Sequence, residues 1–270
     1  MTASTAMREV SAYNTAAASD NKIHDDAVAR RFGFRGGLVP GVEVYAYMAH
    51  MPVARWGRAW LETGYAECRF WKPVYDGALA RITAAEDNGA LTIAVESGGE
   101  RCATGQASIP AQPPILLVGD AVPPAEPPGD RPPASEESLT PGRALGIAPF
   151  TIDRAMLLDY LAEIRETEPI YRAEGLVHPG QILRLANMAL VQNVVLGPWI
   201  HVGSKVNHLA AVHIGQRLTM RSRITSNVVS KGHAIVEFDA VVAADDRDVA
   251  QLTHTAIWRP RQVSENSEAA

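Results

Sequence analysis

Two stretches of this chain carry apolar residues at helical spacing behind the same turn. Val42, Tyr45, Met48 and Ala49 follow Pro40-Gly41, and Ile182, Leu185, Ala186, Ala189 and Leu190 follow Pro179-Gly180. Steps of three and four residues place such side chains on one face of a helix. The tripeptide Gly37-Leu38-Val39 ahead of the first turn returns as Gly175-Leu176-Val177 ahead of the second, and Gly77 returns as Gly215 at the same offset. Behind each of those glycines the pattern changes to strands. The first half predicts Ala78–Ala85, Ala90–Val95 and Arg101–Ile109, with turns at Asp87-Asn88-Gly89 and Gly98-Gly99. The second predicts Arg217–Val229, His233–Ala243 and Val249–Trp258, with turns at Ser230-Lys231-Gly232 and Asp245–Asp248. Residues of this kind between alternating or β-branched runs mark hairpins.

Each half therefore predicts one long helix and an antiparallel sheet that wraps it, an α+β arrangement. Two copies would pack as an internal pseudo-dimer, doing within one chain what a homodimer does with two. Between them, Pro110 to Pro141 holds ten of the chain's 18 prolines. Proline this dense cannot continue a helix or sit inside a sheet, so the segment reads as an extended linker. The resulting division is a first unit at 8–110, a linker at 111–149, a second unit at 150–262 and a disordered tail at 263–270. One element breaks the symmetry. Ile152–Glu166 has the pattern of an amphipathic helix, started by Thr151 or Asp153, where the first half has a polar cluster.

Composition narrows the function classes. Apolar residues make up 47% of the 270 and charged residues 20%, which is a globular balance. The net charge of -5, with no block of Lys or Arg, argues against a nucleic-acid partner. Two cysteines, Cys68 and Cys102, make neither a disulfide framework nor a zinc pattern. The N-terminal residues lack an apolar signal core, and no apolar run is long enough to span a bilayer. These features predict a cytoplasmic chain without a membrane partner.

Candidate chemistry concentrates in Ser19–Gly41, SDNKIHDDAVARRFGFRGGLVPG. A polar cluster precedes a short helix capped by Asp25 and ending at Gly33, and a Gly-rich turn then leads into the long helix. Such a segment can aim an imidazole and a helix N-terminus at one small volume, as carbonyl chemistry requires. Asn21-Lys22-Ile23-His24-Asp25, with Ala29-Arg30, Gly33-Phe34 and Gly36 behind it, resembles the hydratase motif of the MaoC-like family, which includes (R)-specific enoyl-CoA hydratases. That motif reads Asp-x-Asn-Pro-hydrophobic-His-x-Asp, with a His-Gly step into the central helix. The resemblance implies a double hot-dog fold and acyl-thioester chemistry, with His24 as catalytic His, Asn21 as its orienting partner and Gly41 as the glycine at the helix mouth. Three positions depart from the motif: Ser19 stands at the catalytic Asp, Lys22 at the Pro, and Val39-Pro40-Gly41 at the His-Gly step. A serine hydroxyl cannot hold a proton near neutral pH as a carboxylate can, so the second acid/base group falls to Asp20 or Glu43.

The expected site is thus His24, Asn21 and Asp20 in catalysis, with Ser19, Gly41, Glu43 and Tyr45 contacting substrate. The reaction would be hydration of a 2-enoyl or dehydration of a 3-hydroxyacyl thioester. Thioester hydrolysis on the same fold and binding without catalysis are the alternatives. Neither metal nor redox cofactor is expected, coenzyme A entering only as part of the substrate; an acyl carrier protein is the other possible carrier, and a second copy of the chain a possible partner. No histidine has metal-ligand spacing, and no G-x-S-x-G elbow exists. His201 and Ser204, three apart on one strand, would face opposite sides of it. Arg31, Arg35 and Lys72 are candidates only for phosphate contacts, and the tryptophans read as packing.

Overall fold

Alternation of apolar and polar residues is enough to lay down the strands, and it does so twice. The structure, a computed structural model, describes residues 5–112, 115 and 124–261; part of the expected linker and the expected tail lie outside them. In the first half β1 (Thr5–Ser11) leads through α1 (Asp26–Arg31) to the long helix α2 (Gly41–Trp56), the short α3 (Arg58–Thr63) and β2 (Tyr65–Phe70). The meander β3 (Leu79–Asp87), β4 (Ala90–Ser97) and β5 (Glu100–Ser108) follows. The second half repeats the strand order around its own long helix, with β6 (Phe150–Thr151), then two shorter helices, α4 (Arg154–Glu163) and α5 (Ile170–Glu174), ahead of the long α6 (Pro179–Asn193), and β7 (Ile200–His208) directly after it. The meander β8 (Arg217–Ser230), β9 (His233–Ala244) and β10 (Arg247–Arg259) completes it. The predicted hairpin strands and the helices at Asp26 and Arg154 appear within a few residues of their expected limits, Asp25 and Asp153 serving as side-chain N-caps.

All ten strands form one sheet in the order β1-β3-β4-β5-β2-β7-β10-β9-β8-β6. The order is a palindrome of the two halves, with β2 and β7 at the centre, paired antiparallel from Tyr65↔Asn207 to Arg69↔Gly203. Equivalent bonds recur at equivalent positions. Val39 N–H donates to the Val74 carbonyl at 2.9 Å and Val177 N–H to that of Val212 at 2.8 Å. The bridge Leu38↔Tyr75 is matched by Leu176↔His213, and the amides of Gly77 and Gly215 bond to the carbonyls of Ala12 and Ile152. After Ala12 and Ile152 the halves diverge, into a polar loop in one and α4 in the other.

The two long helices pack against each other inside the sheet. Most of α2 is buried, as a helix must be when a sheet wraps it on one side and a partner helix covers another. Gly180 permits that approach: a Cβ there would stand 2.8 Å from the Ala46 Cβ and 2.1 Å from the Tyr160 hydroxyl. Polar groups also tie the halves. Buried Glu166 accepts from His50 Nδ1 of α2 at 2.7 Å and faces Arg8 of β1 and His178, each at 3.5 Å. His178 caps α6, its Nδ1 accepting from Gly180 N–H at 3.0 Å.

The linker is more than a spacer. Leu139, Leu145 and Ile147 are buried, and the segment straps the end of α6 through Ala134 N–H to the Val195 carbonyl at 2.9 Å and Asn193 Nδ2 to the Gly146 carbonyl at 2.6 Å. Proline excludes regular elements but leaves an extended chain free to dock. Among the described residues no helix is long and apolar enough to cross a membrane.

Four histidines, His178, His201, His208 and His254, are buried, and burial lowers the pKa of each, to about 3 for His201 and about 4 for His208. His201 and His208 are therefore neutral in the folded chain down to about pH 5 and take up a proton on unfolding once the pH falls below about 6.5. The unfolded state then binds more protons, so stability is lost as the pH falls, by up to about 1.4 kcal/mol per pH unit each for His201 and His208. Denaturant midpoints measured from pH 7 to pH 5 are therefore expected to fall steeply below pH 6.5; a flat profile would show that the rings are not held neutral.

Candidate active site at the seam of the two halves

The polar loop after Ala12 is held from several sides. Asn14 receives little solvent and braces it, its N–H donating to Asp76 Oδ1 at 2.7 Å and its Nδ2 to the His24 carbonyl at 2.9 Å. Asp26, in the first turn of α1, accepts from Gly37 N–H at 2.7 Å. Gly37 must be glycine, because a Cβ would come within 2.1 Å of the His24 carbonyl oxygen.

These restraints fix the His24 imidazole. Its Nδ1 lies 2.6 Å from the Leu38 carbonyl. A carbonyl only accepts, so Nδ1 carries the proton and Nε2 keeps its lone pair. Asn21 Nδ2 stands 3.3 Å from that Nε2 and also donates to the Trp199 carbonyl at 3.0 Å. Trp199 N–H returns a bond to Asn21 Oδ1 at 3.1 Å, which settles which end of the amide is oxygen. Burial lowers the His24 pKa against the opposing pull of the Leu38 carbonyl. The result is a neutral base at ordinary pH, oriented by an asparagine that is itself clamped to the other half.

Two cavities meet at this point. One of about 780 Å³ is lined by Ser19, Asp20, Glu43 and Arg184 together with apolar side chains of α6. The other, of about 280 Å³ and mostly apolar, is lined by Gly41, Val44, Phe70 and His201. Asn21, His24, Pro40, Asn187 and Trp199 line both, so the imidazole sits in the wall between them. Gly41 is the first residue of α2, and a first-turn amide has no acceptor inside its helix. Its N–H and the positive end of the helix dipole are therefore free for an oxygen.

The remaining expected residues are placed as follows. Ser19 lines the larger cavity and its hydroxyl donates to the Asn21 carbonyl at 3.4 Å. Asp20 lines the same cavity and is exposed. Glu43 is buried there, accepting from Arg184 Nη2 at 2.6 Å and Nε at 2.8 Å and from Thr15 Oγ1 at 3.1 Å. Burial pushes its carboxyl up, and the guanidinium opposes this. Tyr45 lines neither cavity and lies in the core. Residues two apart on a helix are turned by about 200°, so Tyr45 faces away when Glu43 faces the cavity. Sequence reasoning did not single out Arg184 or Asn187, read Trp199 as packing and set His201 aside on strand spacing; all four come from the second half, with no local pattern pointing back to His24.

The counterpart in the second half is closed. Leu176, Val177, Pro179, Ile182, His208 and Val212 enclose only about 10 Å³. Pro179 replaces Gly41, Ile182 replaces Val44, and His208 replaces Phe70, packed edge-on against Trp60 at 4.6 Å. Proline also has no N–H, so this helix start has lost the donor as well as the space.

No protein-family model matches the chain, and no curated protein matches it. Solved structures do. A conserved protein of Mycobacterium tuberculosis, described as having a double hotdog fold and as essential for bacterial survival during infection, aligns at 16% identity with a TM-score of 0.66, covering 95% of this chain and 96% of its own. A protein of Chloroflexus aurantiacus named as a MaoC domain dehydratase aligns at 12% identity and a TM-score of 0.62, over 97% and 96%. A MaoC-like dehydratase aligns at 14% and 0.58, over 95% and 98%. The fold is a double hot-dog. Within this double hot-dog, one of two duplicated helix mouths is open and the other is filled. Asn21→Ala deletes the clasp between His24 and Trp199 and leaves two backbone groups of Trp199 without partners. It is expected to lower the unfolding free energy by about 1–3 kcal/mol, read as a lower denaturant midpoint at unchanged slope.

Proposed function

We propose that this chain is an acyl-thioester hydratase/dehydratase, adding water to a 2-enoyl thioester or removing it from a 3-hydroxyacyl thioester. The observation that carries the reading is His24: a neutral imidazole protonated on Nδ1, with its Nε2 lone pair facing the Asn21 amide at 3.3 Å, set in the wall of two cavities beside the open N-terminus of α2. The dehydratase-named structures share only the fold at 12–14% identity, so the residues rather than the likeness support the chemistry.

In hydration, water displaces the 3.3 Å contact of Asn21 Nδ2 with His24 Nε2, and Nε2 takes a proton from that water as the water oxygen bonds to the β-carbon. The electron pair of the double bond moves through the α-carbon toward the thioester oxygen, where Gly41 N–H and the helix dipole stabilise the developing negative charge. Proton return to the α-carbon needs an acid. Ser19 cannot be that acid, Glu43 is engaged by Arg184, and Asp20 lies at the exposed side of the larger cavity. His24, now an imidazolium, is the group assigned to return the proton, which closes the balance with one base acting twice. Dehydration runs the same steps backward.

The test is to incubate the protein with crotonyl-CoA, an (R)-3-hydroxyacyl-CoA and saturated acyl-CoAs, following enoyl absorbance and free thiol. Enoyl loss without thiol release is expected, with His24→Ala lowering kcat by about 10²–10⁴-fold. Because the base must be neutral and burial lowers its pKa, activity should fall on the acid side with a midpoint below pH 6.5. Thiol release from saturated acyl-CoAs would replace this reading with hydrolysis. Turnover unaffected by His24→Ala would remove His24 from it.

A further inference from the structure

His201 is three residues from Ser204 on β7, and in a regular strand the two would face opposite ways. They do not. The pairing of β7 with β10 slips between Thr255↔Gly203 and Ala256↔His201, so Val202 is an extra residue that turns His201 onto the face of Ser204. His201 Nε2 lies 2.8 Å from Ser204 Oγ, and that oxygen lies 3.0 Å from His254 Nδ1. The two rings stack at 4.2 Å. His201 is 5% exposed and lines the smaller cavity together with Gly41 and His24, and its Nδ1 has no partner.

The free nitrogen sits beside the helix mouth. A Cβ on Gly41 would stand 2.8 Å from His201 Nδ1, and in any residue that Cβ is about 2.5 Å from its own nitrogen. Nδ1 is therefore at most about 5.3 Å from the Gly41 nitrogen, a separation short enough for one oxygen to accept from both where the two N–H groups converge. We propose that His201 is a second hydrogen-bond donor to the substrate's thioester oxygen, acting beside the Gly41 amide and held in its Nδ1–H form by Ser204 and His254. This deepens the thioester reading above and rests on it.

The role requires one of the two arrangements that the Ser204 hydroxyl allows. Ser204 has one proton to place between two ring nitrogens. When it donates to His201 Nε2, that nitrogen is the acceptor, His201 carries its proton on Nδ1, and His254 Nδ1–H donates to Ser204 Oγ. Burial keeps both rings neutral, against the opposing pull of the Gly203 backbone on His201. A neutral ring suits a helix N-terminus, where a cation would meet the positive end of the dipole. It also polarises a carbonyl without giving up a proton. Glycine at position 41 is explained too: any side chain there would displace the ring.

The test uses a chromophore that does not depend on turnover. A dimethylamino-substituted cinnamoyl-CoA absorbs at longer wavelength when its thioester carbonyl is polarised. Wild type is compared with His201→Phe, which has no donor, His201→Asn, whose amide occupies the Nδ1 position, and His201→Gln, whose amide reaches the Nε2 position. The expected result is a red shift in wild type, lost in His201→Phe and recovered in His201→Asn but not in His201→Gln, with kcat on crotonyl-CoA about 100-fold lower in His201→Phe. If His201→Phe does not fold, the Asn and Gln variants decide. A shift that survives in His201→Phe, or that Gln restores and Asn does not, overturns the inference and leaves the thioester reading standing. A probe that wild type does not bind overturns both.

Discussion

The antiparallel pairing of β2 with β7 is the constraint on which the rest of this molecule depends. Each half is a helix wrapped by five strands, and among the described residues only this pairing makes the two half-sheets continuous. It brings Trp199–Ser204, from one half, against the loop and helix mouth of the other. Asn21 can then clasp Trp199, His201 can press against Gly41, and α6 can supply Arg184 and Asn187 to the cavities. Neither half lines the candidate site by itself.

Duplication followed by divergence explains why one mouth is open. At equivalent places the first half has glycine, valine and phenylalanine, and the second has proline, isoleucine and histidine. The changes at the first two places add bulk where a ligand would lie, and the proline also removes an amide donor. The freed second half carries α4 and the Glu166–His178 cluster, which fasten the halves together. Packing freedom in one copy is exchanged for a working volume in the other.

Much of the fold was legible because the signals are local. Alternation, hairpin turns at Asn88-Gly89 and Lys231-Gly232, and the caps Asp25 and Asp153 each act within a few residues. Repetition of Gly-Leu-Val then joined them into a duplicated architecture, although the two Pro-Gly steps lie one residue out of register, Pro179 standing where Gly41 does. Of the site, the His24–Asn21 pair lies inside one short motif, so spacing alone could bring it forward. Tyr45 misled because it shares the first turns of α2 with Glu43 yet turns into the core. The linker misled in another way, since prolines announce irregular chain without saying where it docks.

What stayed hidden depends on one strand being compared with its neighbour. The bulge at Val202 exists only as two residues opposed to one across β7 and β10, and no spacing within β7 reports it. For the same reason His201 and Ser204 read as opposed when they are bonded. Trp199 enters through its backbone, which side-chain patterns do not describe.

The central claim is that the duplicated fold keeps a single working site, at the mouth of α2. A crystal structure with an unreactive acyl-CoA analogue tests it most directly. One analogue per chain is predicted, crossing the wall between the two cavities, with its carbonyl oxygen on Gly41 N–H and its β-carbon facing His24 Nε2. An analogue seated at Pro179 in the second half, or held away from His24, would contradict the account.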